Sequence, residues 1–271
     1  MSIKSMPVWK WVLLLIVSFA LAIFMYALAQ AAGDAVKTDW LKWVVSVAVS
    51  AVMILLYATF VRLFEKRPAK DVPLSRFPGD AGRGMVVGAL FMATVVLVMM
   101  VFGLYRITGA GTDDPRSIVS AFFLFFYVAV GEEIIFRGVL FRWIDEKWGF
   151  AAALIVSALL FGFMHFGQPG ATWWSSVAIA AEAGLLLGAA YKYAGTLWLP
   201  VGIHWTWNFV QGNVFGFQVS GGDAGGALLQ ATVKGPDILT GGAFGAEASI
   251  ITVILGLGLS FWYLSRRRRK A

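Results

Sequence analysis

The chain has no cysteine, two histidines, and charged side chains at only 14% of its positions. Without cysteine there is neither a disulfide framework nor a thiolate metal site, and the redox compartment stays open. A soluble domain carries about 25% charged and about 45 to 50% apolar residues. The shortage of charge, with 59% hydrophobic residues and a mean hydropathy of +0.78, excludes an ordinary soluble fold. Acidic residues are the scarcer sign, 15 Asp+Glu against 22 Lys+Arg, a net +7. In a soluble protein that excess suggests nucleic acid. Here the basic residues sit in short segments beside apolar runs, the positive-inside pattern, so the partner expected is a lipid bilayer and no nucleic acid.

Crossing the hydrocarbon takes about 20 apolar residues. Runs of that kind lie near 11–30, 41–61, 84–105, 118–141, 150–168, 172–190, 196–214 and 247–264. They predict an all-α polytopic membrane protein with about eight transmembrane helices, in a single domain over 1–271. Lys4, Lys10, the six basic residues from Arg62 to Arg83, Arg142, Lys147, Lys192 and the basic run at 266–270 fall on one side. The alternate loops carry Asp34, Lys37 and Asp39, then Asp113, Asp114 and Arg116, then Asp223, Lys234 and Asp237. Both termini are therefore expected in the cytoplasm. The first run also has the look of a signal peptide, with Ala27-Leu28-Ala29 as a small-residue cleavage site. Its apolar stretch is long for that role, and its charge agrees with an uncleaved anchor. Residues 215–246 form a glycine-rich external loop, long enough to suggest a lid or substrate rim.

Against this background the intramembrane polar groups stand out, because an ionisable side chain costs about 2.5 to 3.5 kcal/mol at the centre of a spanning helix. Glu133 and Arg137, four apart, share a helix face and can pair. Glu132 points about 100° away and lacks a partner at that spacing, which suits it to act as a general base. The structural alternative is a single ion-pair network using both acids. His165 lies near the end of the fifth run, where a lone histidine can be a packing residue. His204 and Asn208 lie one turn apart on the seventh and face the same way, as two donors to an oxyanion would. Two histidines and a carboxylate would equally make three ligands of a catalytic zinc, so metal is undecided at this point. On these boundaries His165 is about five residues from its helix centre, or about 7 to 8 Å off the midplane of Glu132 and His204. Glu182 is a further intramembrane acid, facing either the same cavity or another helix. Trp11, Trp40, Trp43, Trp173, Trp174, Trp198 and Trp262 fit interfacial anchoring. Gly184 and Gly188 fit close helix packing.

Glu132-Glu133-x-x-x-Arg137, Phe161-x-x-x-His165 and His204-x-x-x-Asn208 follow in order on separate expected spans. Together they resemble the signature of the CPBP family, the CAAX protease and bacteriocin-processing intramembrane peptidases. Gly195-Thr196-Leu197-Trp198-Leu199-Pro200, leading to His204, is also similar to that family. The motifs cover about 118–213. The resemblance implies a single membrane-embedded peptidase domain with an eight-helix core. It implies hydrolysis of peptide bonds in a peptide or membrane-protein substrate, by water that Glu132 activates with His165. His204 and Asn208 would hold the oxyanion, Glu133 and Arg137 would set the geometry, and Phe161 is assigned to substrate contact. No cofactor is assured by it, zinc remaining the alternative. The segment 240–249 looks like a feature of a bacterial subgroup, so a bacterial cytoplasmic membrane is the expected location.

Two other functions use the same residues. Buried acids and histidines serve as proton relays in transporters, although inverted repeats and interrupted helices in matching halves are not visible here. A non-catalytic membrane scaffold would keep the site and act by binding a partner. Farnesylated CAAX proteins are one substrate of the family, but no prenyl-binding feature is legible in the chain.

Overall fold

A computed structural model describes residues 6–112 and 114–266. Lys4, Asp113 and the basic residues at 267–270, all used in the charge reading, lie outside them, as do the side chains of Ala29 and Asp34. The apolar runs form helices: α1 (Val8–Asp34), α2 (Asp39–Leu63), α3 (Phe77–Val101), α4 (Pro115–Trp148), α5 (Phe150–Met164), α6 (Trp173–Ala194), α7 (Trp198–Phe209), α8 (Asp237–Thr240) and α9 (Ile250–Arg266). By length and composition, α1 to α4, α5 with its continuation to Gly167, and α6 each provide a stretch able to cross a membrane, which makes this an integral membrane protein. The last two expected spans are shorter: α9, and α7 with its extension over Val210–Val214. α7 is buried from Trp198 to Asn208 on every face, as an apolar helix is when protein surrounds it.

Three glycines allow that enclosure. A Cβ at Gly88 would lie 2.3 Å from the carbonyl oxygen of Ile203, and one at Gly84 2.3 Å from that of Leu199. A Cβ at Gly202 would lie 2.2 Å from the carbonyl oxygen of Ala81. The α3 and α7 backbones thus touch, and Thr206 Oγ1 donates across the contact to the Met85 carbonyl at 2.9 Å. Gly184 and Gly188 do the same for α6: their Cβ atoms would meet Ala158 Cα at 2.7 Å and Leu154 Cδ1 at 2.8 Å.

Three helices widen locally into π turns, at Ile134–Phe141 in α4, Ala180–Gly184 in α6 and Val210–Val214 after α7. Such turns are rare and frequent at functional sites. All three adjoin the intramembrane polar residues.

The third expected span runs past its helix. α3 stops at Val101, and Tyr105–Ala110 forms strand β1, paired antiparallel with β2 (Leu229–Val233). A ribbon of two strands therefore ties the glycine-rich segment to the α3–α4 loop. At the opposite end, Asp71 accepts from Tyr57 Oη (2.8 Å), Arg67 Nη2 (2.8 Å) and Tyr191 Oη (3.4 Å). Glu65 accepts from Arg67 Nε (2.8 Å), Trp143 Nε1 (3.0 Å) and Arg142. This network joins α2, α4 and α6 where the positive charges concentrate. Two tryptophans read as interfacial anchors are core residues: Trp11 and Trp198 are each 1% exposed, and Trp198 Nε1 donates to the Pro73 carbonyl at 2.9 Å. Trp40 and Trp173 do face outward.

Candidate active site

α4 presents both adjacent acids, on different faces. Glu133 is wholly buried, and its Oε1 accepts from Arg137 Nη1 at 2.8 Å and from the Nδ1–H of His204 at 3.1 Å. A carboxylate oxygen only accepts, so this contact fixes the hydrogen on Nδ1 and turns Nε2 of His204 away from Glu133. Nε2 lies 3.8 Å from Glu132 Oε2. That oxygen is buried and has no hydrogen-bond partner among the described residues. The glutamate expected to lack a cation on its own helix therefore faces a histidine from α7.

Arg137 is held from three sides. Besides Glu133, its Nη2 donates to the carbonyls of Gly184 (3.1 Å) and Ala183 (3.4 Å), at the π turn of α6. Its guanidinium lies 4.7 Å from the centroid of the Phe161 ring, a cation–π contact. Phe161, read from sequence as a substrate contact, is 2% exposed. Its ring lies 4.9 Å from that of His165 and 6.0 Å from that of His204, so it spaces the two histidines.

His165 follows the last residue of α5 and sits in a single 3-10 turn. Its Nδ1–H donates to the Phe161 carbonyl at 2.7 Å, which leaves Nε2 as the free ring nitrogen. The depth mismatch expected for His165 is bridged by that turn and by the Phe161 ring. His165, His204, Asn208 and Glu182 line one cavity of about 20 Å³, large enough for about one water. Glu132 does not line it. His204 is shared by the Glu132–Glu133 pair on one side and the cavity on the other. Neither oxygen of Glu182 has a hydrogen-bond partner among the described residues, and the side chain is wholly buried.

Two further cavity residues, Ser220 and Glu247, come from the glycine-rich segment and the stretch after it. Sequence reasoning passed over both, because the segment has no helical period and only the likeness of 240–249 to a bacterial subgroup marked it. Glu247 is 2% exposed. Burial pushes its carboxyl above the ordinary carboxylate range, opposed by the nearby His165 ring and by donors from Ser220 and Gln211.

Among the described residues no three His, Cys, Asp or Glu side chains are grouped to hold a metal ion. The Nδ1 atoms of both histidines are committed, one to a carbonyl and one to a carboxylate, which leaves Nε2 of each directed elsewhere.

Helices able to span a bilayer, enclosing buried acids, histidines and an asparagine, define an integral membrane protein with a polar intramembrane site. Residues 114–210 match the family described as type II CAAX prenyl endopeptidase Rce1-like. The match spans all three motifs. No curated protein and no solved structure matches the chain.

Proposed function

We propose that the protein is an intramembrane endopeptidase that hydrolyses peptide bonds with water activated by Glu132. The observation that carries this reading is the Glu132 Oε2 atom, buried, without a hydrogen-bond partner among the described residues and 3.8 Å from His204 Nε2. A carboxylate so placed takes a proton from water as the water oxygen attacks the substrate carbonyl. The tetrahedral oxyanion then needs donors within reach. The Asn208 amide and the protonated His204 ring supply them, each such donor being worth about 2.7 to 4 kcal/mol of barrier. Glu132 next returns the proton to the amine nitrogen, the C–N bond breaks, and one carboxylate and one amine leave. Glu133, held by Arg137, orients the His204 ring through Nδ1, so that Nε2–H is the donor left for the oxyanion. His165, with Nε2 directed away from its Phe161 anchor, assists the water. In this reading the substrate is a peptide or membrane protein reached from the bilayer, the enzyme resides in a bacterial cytoplasmic membrane, and both termini are cytoplasmic.

Reconstituted protein offered membrane peptides tests the reading. Mass spectrometry should find paired fragments that sum to the peptide plus one water. Proton flux across the liposomes with no fragments would instead support a relay.

A further inference from the structure

The segment 215–249 is bolted over the site at several points. Gly221 adopts φ +75, and a Cβ there would lie 1.7 Å from the Pro169 carbonyl oxygen, so this part of the segment lies directly on the turn that follows His165. Trp174 Nε1 on α6 donates to the Ala248 carbonyl at 2.7 Å. Gly245 adopts φ +121, and a Cβ there would lie 2.1 Å from the Gln218 carbonyl oxygen. Glu247 is brought inward by these contacts. Its Oε1 accepts from the Ser220 backbone N–H at 2.5 Å and its Oε2 from Gln211 Nε2 at 3.0 Å. Gln211 is itself fixed, accepting from Trp207 Nε1 at 3.1 Å and donating to the Gln218 carbonyl at 2.7 Å.

Two buried acids then share the cavity, and only one of them has its oxygens satisfied. Glu247 accepts from two donors and lines the cavity together with His165, whereas Glu182 has no hydrogen-bond partner among the described residues. A buried carboxyl is tolerated when donors satisfy its oxygens.

We infer that Glu247 is a positioning residue for His165: the extramembrane segment delivers a carboxylate that orients the free side of the imidazole, making the segment a fixed wall of the active site. This inference rests on the peptidase reading. The His165 ring is anchored at Nδ1 by the Phe161 carbonyl of α5, and Glu247, brought in by the segment before α9, lines the same small cavity. His204, clamped by Glu133, has the same arrangement built from helix residues alone.

The test uses Glu247→Gln and Glu247→Asp in the full chain, with peptide cleavage, detergent melting and carbethoxylation by diethyl pyrocarbonate. The chain has only His165 and His204, so mass mapping separates the two sites. With Glu247→Gln, kcat should fall about ten-fold with KM held and the melting temperature near wild type. His165 should be acylated several-fold faster, with His204 unchanged. Glu247→Asp keeps the charge and should recover most of kcat and of the wild-type His165 rate. If Glu247→Gln does not fold, Glu247→Asp decides alone: a folded Asp variant without activity overturns the inference. Wild-type kinetics and acylation in Glu247→Gln overturn it as well. So do equal losses in both variants that follow the melting temperature while His165 acylation stays fixed. Glu132→Gln, run in parallel, keeps the two claims apart. If it cleaves normally the peptidase reading fails, whereas an inactive Glu132→Gln beside a normal Glu247→Gln removes only the role of Glu247.

Discussion

Glu132 and Glu133 are adjacent in sequence and opposite in energetic role. Glu133 neutralises Arg137 where neither side chain reaches solvent, and removing one partner of a buried pair costs about 3 to 5 kcal/mol. Glu133→Gln should therefore lower the detergent melting temperature, and it should also cost activity because His204 loses its anchor. Arg137→Met in the same chain should recover part of the stability, since the stranded cation is gone. It should not recover activity, because His204 still lacks the carboxylate. A melting temperature unchanged by Glu133→Gln would show that the pair is not the staple its geometry suggests. The Glu133–Arg137 pairing could be read from i,i+4 spacing alone. The partnership of Glu132 with His204 could not, because it spans 72 positions and depends on how α4 meets α7.

At the scale of the element, α7 bears His204 and Asn208 and is placed by contacts of α3 glycines. Gly88→Val would push a branched side chain into the Ile203 carbonyl and Thr206 hydroxyl. Overpacking of this kind costs about 1 to 3 kcal/mol, and the shift falls one residue from His204. Activity should drop further than stability alone explains. Gly82→Ala, with open space around its Cβ, is the control and should leave both properties near wild type. Thermal melting and cleavage rates on the two variants check this, and a harmless Gly88→Val would contradict it. The helices were legible because apolar runs of membrane length leave little else to form. Their ends and local widenings were not. The π turns leave hydropathy unchanged, the third apolar run continues past the end of α3 at Val101 to the first residue of β1, and Trp11 and Trp198 have the composition of anchors but the position of core. Gly84-x-x-x-Gly88 is the sequence sign of the α3–α7 contact, of the same kind as Gly184 and Gly188. The glycine-rich segment gave least, since its fold depends on positive-φ turns and on contacts with α6 and the α5–α6 turn.

For the whole molecule, the charge distribution predicts sidedness. A tag at Lys234, in the exposed β2 region, should react only from outside the cell, and one at Arg76 only from inside. Both reporting one side would overturn the orientation and the number of crossings. Chelation is the second test at this scale. If Glu132 activates the water without zinc, activity should survive removal of divalent ions, and loss restored by stoichiometric zinc bound at His165 and His204 would reverse that expectation. The most direct test of the account is the turnover of Glu132→Gln in liposomes, measured beside its melting temperature. The amide keeps the shape and removes the basicity, and an unpartnered oxygen contributes little to folding, so stability should stay within about 1 kcal/mol of wild type while peptide cleavage is abolished. A folded Glu132→Gln protein that cleaves at the wild-type rate would contradict the assignment of the catalytic base and the mechanism built on it.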